Sequence, residues 1–153
     1  MWVDADHIAN QGVLNSLRPK KRLPKKKHPP LAARPKGSRI PSGDCHPDVV
    51  ERVWDKLGGS LKEDCRCLVY GTPALVHPER GVVLAVCYGT AYCLRICQDN
   101  LPEALQAGAS TTVKWSNGDE MNLPEKFGPD WVFGNWLRKE RAWLKAVYDS
   151  QSL

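Results

Sequence analysis

Apolar side chains recur with a helical period just after residue 44 of this 153-residue chain. Five of them fall on one face of a 3.6-residue period: Val49, Val50, Val53, Trp54 and Leu57. Pro47 suits the first turn of such a helix, and Gly58 can begin its left-handed stop. The pattern therefore predicts an amphipathic helix that begins at Pro47 and ends before Gly58.

Four short segments rich in Val, Leu, Tyr and Cys follow this helix, with glycine- and proline-containing turns between them. They cover residues 65–70, 74–77, 81–88 and 91–97. Because the connections are short, we expect an antiparallel meander. A two-residue turn that begins at Gly89 would pair Cys87 with Tyr92. It would also pair Val86 with Cys93, and the two cysteines would then lie on opposite faces of the sheet.

Two further elements are predicted beyond the meander. A short helix over residues 102–107 would end at Gly108. The dipeptide Asn117-Gly118 indicates a β-hairpin across residues 111–123.

The chain closes with a stretch that has a wide apolar face. Helical spacing over residues 130–151 predicts a long terminal helix. Gly134 within it would cost about 1 kcal/mol relative to Ala, so we expect close packing at that position. The order of elements predicts an α+β fold: an antiparallel β-meander sheet with an N-terminal helix and a long C-terminal helix packed on one face, preceded by a disordered basic arm.

The N-terminal part of the chain differs in composition from the rest. Residues 1–16 show no sustained period and could be a disordered start, a short peripheral element or a non-native leftover. Residues 18–39 hold ten Lys or Arg and no acid, and six prolines fall within residues 16–43. Fixed proline φ angles and dense like charge oppose packing. We therefore predict a flexible, basic, proline-rich arm over residues 1–43 and a single α+β domain over residues 44–153.

The basic arm is the main candidate functional feature. Clustered Lys and Arg bind phosphate through Coulomb attraction and counterion release, which needs no folded pocket. The candidate nucleic-acid-binding residues are Arg18, Lys20, Lys21, Arg22, Lys25, Lys26, Lys27, Arg34, Lys36 and Arg39. The arm holds no Phe, Trp or Tyr for base stacking, so the expected affinity is nonspecific. A solubilising tail or a localisation signal is the alternative.

The remainder of the chain is mildly acidic and contains all six cysteines. From Asp44 onward there are twelve Lys or Arg against fifteen Asp or Glu. Without a signal-peptide pattern, reduced and buried thiols are expected. Cys65 and Cys67 would share one face of a strand. Cys93 and Cys97 would do the same on another strand, but neither pair has the C-x2-C spacing of zinc knuckles. We expect no metal and no other cofactor.

The sequence contains no pattern of a catalytic site. It lacks a P-loop, a dinucleotide-binding fingerprint, GxSxG and HExxH. A thiol nucleophile paired with His46 or His77 is conceivable, but both histidines precede prolines in turn-like contexts, and the sequence gives no base-orienter pattern around them. The longest aliphatic stretch, residues 82–87, is far shorter than the ~20 residues of a membrane span. We expect a soluble, cytoplasmic protein that is not an enzyme.

One segment resembles a known group of domains. The run LVYGTPALVHPERGVVLAVCYGTAYCLRI carries a glycine-containing strand at Gly71, a hairpin, and an aliphatic-Arg-aliphatic strand end around Arg95, and EALQAGA follows as a short helix. Over residues 46–110 the chain therefore resembles the TfoX N-terminal and MmcQ/YjbR-like group. The resemblance implies a compact α+β domain with a DNA-binding or regulatory role and no catalytic residues.

Charge and composition together favour a non-catalytic binding or accessory module. In this hypothesis the globular part recognises a protein or anionic partner, while the basic arm gives nonspecific affinity for nucleic acid. The first alternative is a protein-protein interaction or effector-neutralising protein that acts through its acidic domain. The second alternative is an uncharacterised small enzyme.

Overall fold

The predicted meander forms the centre of the fold. A computed structural model describes residues 3–18, 31–33, 45–62 and 65–151. The strands of these residues are β1 (Leu31–Ala33), β2 (Arg66–Val69), β3 (Thr72–Val76), β4 (Val83–Tyr88), β5 (Ala91–Arg95), β6 (Thr112–Lys114), β7 (Glu120–Asn122) and β8 (Trp131–Phe133). One antiparallel sheet has the order β1-β2-β3-β4-β5-β8, and β6 and β7 form a separate hairpin. Strands consecutive from β1 to β5 are neighbours, which confirms the meander.

The hairpin of β4 and β5 has the predicted register. Cys87 pairs with Tyr92, and Val86 pairs with Cys93. Gly89 has a φ of 64°, a conformation that this turn requires and glycine adopts without strain. As predicted, Cys87 and Cys93 contribute to cores on opposite sides of the sheet.

Helices cover both faces of the sheet. They are α1 (Gln11–Leu17), α2 (Pro47–Glu51), α3 (Leu101–Ala107), α4 (Leu123–Lys126) and α5 (Glu140–Gln151). Core A, beneath α2, α3 and α5, includes Val53, Leu57, Cys87 and Leu144. Core B, beneath α1 and α4, includes Val13, Cys93, Leu123 and Phe127.

The α+β fold is confirmed, and α2 and α5 lie on the same face of the sheet as predicted. The sequence analysis placed the helices on one face of the sheet and predicted no helix on the opposite face. That face is also apolar and must be buried, and α1 and α4 bury it. None of the described helices is long and apolar enough to span a bilayer.

The helix predicted after residue 46 is present, and its second half is wound more widely than an α-helix. α2 continues into a π-helical segment, Arg52–Leu57. Within it, the carbonyl of Trp54 accepts a hydrogen bond from Nε of the buried Arg66 (2.8 Å). The indole N–H of Trp54 donates to the carbonyl of Ala74 (2.9 Å). These bonds fasten the helix across β2 and β3.

Residues 3–18 pack against the sheet. Three of their apolar side chains are buried in core B: Val3, Val13 and Leu14. The buried Asn10 side chain accepts a hydrogen bond from the N–H of Val83 (2.9 Å) and donates to the carbonyl of Gly81 (2.9 Å). The predicted boundary, which assigned residues 1–43 to a flexible arm, is therefore wrong for residues 3–18. A few buried apolar residues and one polar anchor hold this segment, and neither produces a sustained period.

The rest of the predicted arm is described only in part. β1 pairs antiparallel with β2 at the edge of the sheet. Residues 19–30 and 34–44 lie outside the described residues, so a flexible arm there stays a prediction.

The terminal helix begins at Glu140 instead of residue 130. The chain before it forms β8, which pairs with β5 at the other edge of the sheet. Val132 is buried in core A, whereas Trp131 and Phe133 are buried in core B. A strand covered on both faces is apolar at every position, and over three residues this resembles one side of a helix.

The remaining predicted elements are confirmed. α3 ends at Gly108, whose φ is 116°, as expected for a left-handed C-terminal cap. β6 and β7 pair as an antiparallel hairpin with Thr112 opposite Asn122, and the Asn117-Gly118 turn lies between them.

Candidate functional site

A buried carboxylate lies at the start of α5. Glu140 is 1% exposed, and its Oε1 is 2.9 Å from Nη2 of Arg52. The phenol of Tyr92 donates a hydrogen bond to the same oxygen. The backbone N–H of Asn135 donates to Oε2 (2.8 Å). We call Glu140, Arg52 and Tyr92 the Glu140 network. It joins β5, α5 and the helical turn that follows α2.

The Glu140 network also holds the chain between β8 and α5. The Tyr92 oxygen accepts hydrogen bonds from the N–H of Trp136 (2.7 Å) and from Nε of Arg52 (3.3 Å). Nη2 of Arg52 donates to the carbonyl of Leu137 (3.0 Å). Because core A fixes both β5 and the helical segment Arg52–Leu57, these bonds fix the position of residues 135–137.

Burial and hydrogen bonding keep Tyr92 and Arg52 in defined ionisation states. Burial raises the pKa of Tyr92, and its hydrogen bond to Glu140 raises it further, so the phenol stays protonated at neutral pH. Burial opposes the charge of Arg52, but hydrogen bonds to Tyr92 and Glu140 outweigh it and raise the pKa of the guanidinium. A neutral phenol and a guanidinium therefore share one carboxylate.

The Glu140 network holds the backbone of Trp136, while the side chain of Trp136 is partly exposed to solvent. Its φ is 51°, in the left-handed region that costs a non-glycine residue on the order of 1–3 kcal/mol. The residue is 52% exposed, and its ring lies perpendicular to the Tyr92 ring with centroids 4.9 Å apart. Beside it lies a surface depression of about 390 Å³, which we call the Trp136 depression. It is lined by Asp48, Glu51, Arg52, Lys56 and Trp136.

The arrangement is suited to binding. Arg52 and Glu140 form an ion pair, and the phenol of Tyr92 donates a hydrogen bond to the same carboxylate. These three side chains therefore bond to one another, and the phenol oxygen also binds the backbone N–H of Trp136. The parts left facing solvent are a half-exposed indole and the charged side chains around the depression. Half-exposed, rigidly held tryptophans are typical anchors of protein interfaces.

Of the predicted nucleic-acid-binding residues, Arg18 alone falls within the part of the chain that the structure describes. Arg18 follows α1, where its N–H donates to the carbonyl of Leu14 (3.0 Å). The others lie outside the described residues: Lys20, Lys21, Arg22, Lys25, Lys26, Lys27, Arg34, Lys36 and Arg39. Their role stays a prediction.

The cysteines pack differently from the two predicted same-face pairs. Cys65 precedes β2 and packs in core A, whereas Cys67 packs in core B. Cys93 belongs to core B, and Cys97, which follows β5, packs against core A. The prediction is wrong because one cysteine of each pair lies beyond its strand, where side chains no longer alternate. Within residues 3–18, 45–62 and 65–151, no group of three or more His, Cys, Asp or Glu could hold a metal ion.

His77 is buried and serves the turn that follows it. Its Nδ1 accepts hydrogen bonds from the N–H groups of Glu79 (3.2 Å) and Arg80 (3.1 Å). Its ring lies 4.6 Å from the ring of Tyr148. Burial lowers the pKa of His77, so the imidazole is neutral. These contacts give the residue a structural role in the turn.

Sequence reasoning missed the Glu140 network. One signal was available, since Glu140 falls on the apolar face of α5, three and four residues before Trp143 and Leu144. A carboxylate in such a position must be paired when it is buried. Its partners, Arg52 and Tyr92, are 88 and 48 residues away in the chain, and no local pattern connects them.

Comparison with family models, curated proteins and solved structures finds no match for this chain. The resemblance to the TfoX N-terminal and MmcQ/YjbR-like group therefore stays a prediction.

Proposed function

We propose that this protein is a non-catalytic binding module. Its folded part recognises a partner protein at the Trp136 depression, and its basic segment adds nonspecific affinity for nucleic acid. The observation that carries the proposal is the conformation of Trp136: a large indole held half exposed, with a φ of 51°, by a buried network. Backbone strain of this kind persists where the surroundings enforce it, and it is concentrated at functional sites.

Charge separation along the chain supports two binding elements. The ten Lys and Arg of residues 18–39 have no acid among them, whereas residues 44–153 carry an excess of acid. Phosphate would be attracted to the first and repelled by the second. If about five of the basic residues bound phosphates, affinity would fall roughly 500-fold between about 50 and 200 mM salt.

The nucleic-acid element is tested in the full-length chain. Deleting residues 1–40 would remove the buried Val3, Val13 and Leu14, so charge is changed instead: Lys25, Lys26 and Lys27 are replaced by Gln. Binding to a labelled DNA oligonucleotide is measured by fluorescence anisotropy over a salt series. The salt slope should fall by about 1 for each phosphate that the variant no longer neutralises.

The matched control removes three exposed positive charges from the folded part, at Lys114, Lys126 and Arg138. The salt slope of this variant should equal that of the wild type. An equal decrease in both triple variants would show that total charge, not the basic segment, governs binding. Salt-independent binding, or none, in the wild type would remove nucleic acid from the proposal.

The protein-binding element is tested with Trp136→Ala. The proteins that each variant retains from a native lysate are compared before and after nuclease treatment. Leu105→Ala is the control, because Leu105 is also exposed (45%) but lies in α3. Nuclease-resistant capture should be abolished in Trp136→Ala and kept in Leu105→Ala. Equal capture by both variants would remove the Trp136 depression from the proposal.

The same experiments separate the proposal from its main alternative. An interaction or effector-neutralising protein that acts through its acidic domain would lose capture in Trp136→Ala. It would keep full activity when Lys25, Lys26 and Lys27 are neutralised. The proposed module needs both elements.

A further inference from the structure

Cys45 lies where the chain enters α2. It immediately precedes His46, whose side chain caps the helix by accepting from the N–H of Asp48. The backbone N–H of His46 donates to the carbonyl of Gly89 (3.0 Å), and this bond holds the entry to α2 against the turn between β4 and β5. Cys45 is partly buried and packs against core A.

Cys87 lies directly beneath this entry. It belongs to β4 and is fully buried in core A, with Sγ 3.8 Å from the carbonyl of Val49 in the first turn of α2. The side chains of Cys45 and Cys87 are hydrogen-bonded to each other. Two thiols from separate elements thus meet at one point, one reachable from solvent and the other enclosed.

We propose that Cys45 and Cys87 form a reversible dithiol–disulfide pair that takes oxidising equivalents from a small-molecule disulfide of the oxidised-glutathione class. This site is independent of the Trp136 depression and of the basic segment. Closing it ties the start of α2 covalently to β4.

The exchange has two balanced steps. The Cys45 thiolate attacks one sulfur of oxidised glutathione; a protein-glutathione disulfide forms, and one glutathione thiolate leaves. Cys87 then attacks the sulfur of Cys45 while its thiol proton passes to the departing glutathione thiolate, so that the Cys45–Cys87 bond forms and the second glutathione leaves. The two protons released by the protein thiols are taken up by the two glutathione thiolates. The protein loses two electrons, and one glutathione disulfide is reduced to two thiols.

The order of the steps follows from access and acidity. Cys45 is only partly buried, and Cys87 is enclosed. The hydrogen bond with Cys45 raises the pKa of Cys87, and burial raises it further. Cys45 is therefore the thiol that meets the oxidant, and Cys87 resolves the mixed disulfide from within. Cys97 is also partly buried, but burial raises its pKa, as do the charges of Asp99 and Asp130.

The test uses the full-length chain in buffers of increasing oxidised-to-reduced glutathione ratio. Remaining thiols are alkylated, and peptides are mapped by mass spectrometry without reduction. The wild type should lose two alkylatable thiols together and yield one linked pair, Cys45 to Cys87. Its melting temperature should rise by about 5–10 °C on oxidation, because the bridge closes a long loop, and dithiothreitol should reverse both changes.

Three variants sharpen the result. Cys45→Ser should yield no linked pair, whereas Cys87→Ala should accumulate glutathione on Cys45 that is not released. Cys97→Ser, the matched control, should form the Cys45–Cys87 bond as the wild type does. The mapping in the wild type decides the question even if Cys87→Ala fails to fold. A different linked pair, stable glutathione on wild-type Cys45, or six unmodified thiols at every ratio would each overturn the proposal.

Discussion

Gly134 lies against the ring of Tyr92 so closely that a Cβ at position 134 would overlap the ring atoms Cδ2, Cε2 and Cζ. The backbone N–H of Gly134 also donates to the carbonyl of Tyr92 (2.8 Å). The chain leaving β8 therefore crosses directly over Tyr92. Two residues further on, the N–H of Trp136 donates to the phenol oxygen of the same ring (2.7 Å).

Gly134→Ala is expected to destabilise the protein by about 2–3 kcal/mol, because an added methyl group in a packed site displaces the ring or the backbone. Gly59→Ala is the control, since a Cβ at Gly59 would meet only the flexible end of the Arg141 side chain, at 3.3 Å. The free energy of unfolding is measured in urea for both variants. Equal destabilisation would show that the ring of Tyr92 does not exclude a side chain at position 134.

The sequence also predicted close packing at Gly134, but inside a helix. The glycine was informative because glycine inside a helix lowers stability relative to alanine, so its presence indicates that the position has no room for a side chain. The element was assigned wrongly because Trp131, Val132 and Phe133 are all buried, each against a core on one face or the other. Local periodicity cannot reveal that a strand has two covered faces.

The meander was predictable to the level of register, because a two-residue turn fixes which residues pair. The N-terminal segment was not, since its docking depends on Asn10, a polar residue bonded to Gly81 and Val83 more than 70 positions away. The candidate site depends likewise on long-range partners. Sequence patterns show which residues are apolar, but buried polar pairs are defined only by the tertiary structure.

Glu140→Gln is expected to cost about 2–4 kcal/mol of stability, because it leaves the guanidinium of Arg52, 17% exposed, without its counter-charge. Glu103→Gln is the matched control, since Glu103 also pairs with a cation, Lys139, but at the surface. It should change stability little, as exposed pairs are weak. Thermal and urea unfolding measure both. Similar small changes would contradict a structural role for the Glu140 network.

Asn10→Ala is expected to destabilise the fold by about 2–3 kcal/mol, because the N–H of Val83 and the carbonyl of Gly81 would lose the buried amide that they bond. Gln11→Ala is the control, because Gln11 also bonds backbone carbonyls through its amide but lies at the surface. Hydrogen exchange at Val83 should accelerate only in Asn10→Ala. An unchanged exchange rate at Val83 in Asn10→Ala would contradict a role for residues 3–18 in stabilising the sheet.

His77 should make the stability of the fold decrease as the pH falls below its unfolded pKa of about 6.5. Burial lowers its pKa in the folded protein, while the unfolded chain takes up a proton near pH 6.5. Above that value the imidazole is neutral in both states and stability is full. As pH falls through 6.5 toward the lower folded value, the unfolded state binds the extra proton and is favoured, by about 1.4 kcal/mol for each pKa unit between the two states.

The comparison that isolates His77 uses a second histidine with the same local role. His46 also precedes a proline and also accepts an N–H through Nδ1, at 3.1 Å, but it is exposed. His77→Asn should flatten the dependence of unfolding free energy on pH over this range, because an amide oxygen can accept the turn N–H groups without titrating. His46→Asn should keep the wild-type slope. If the unfolding free energy of His77→Asn still depends on pH as in the wild type, the dependence comes from other groups. The buried imidazole of His77 would then not be its source.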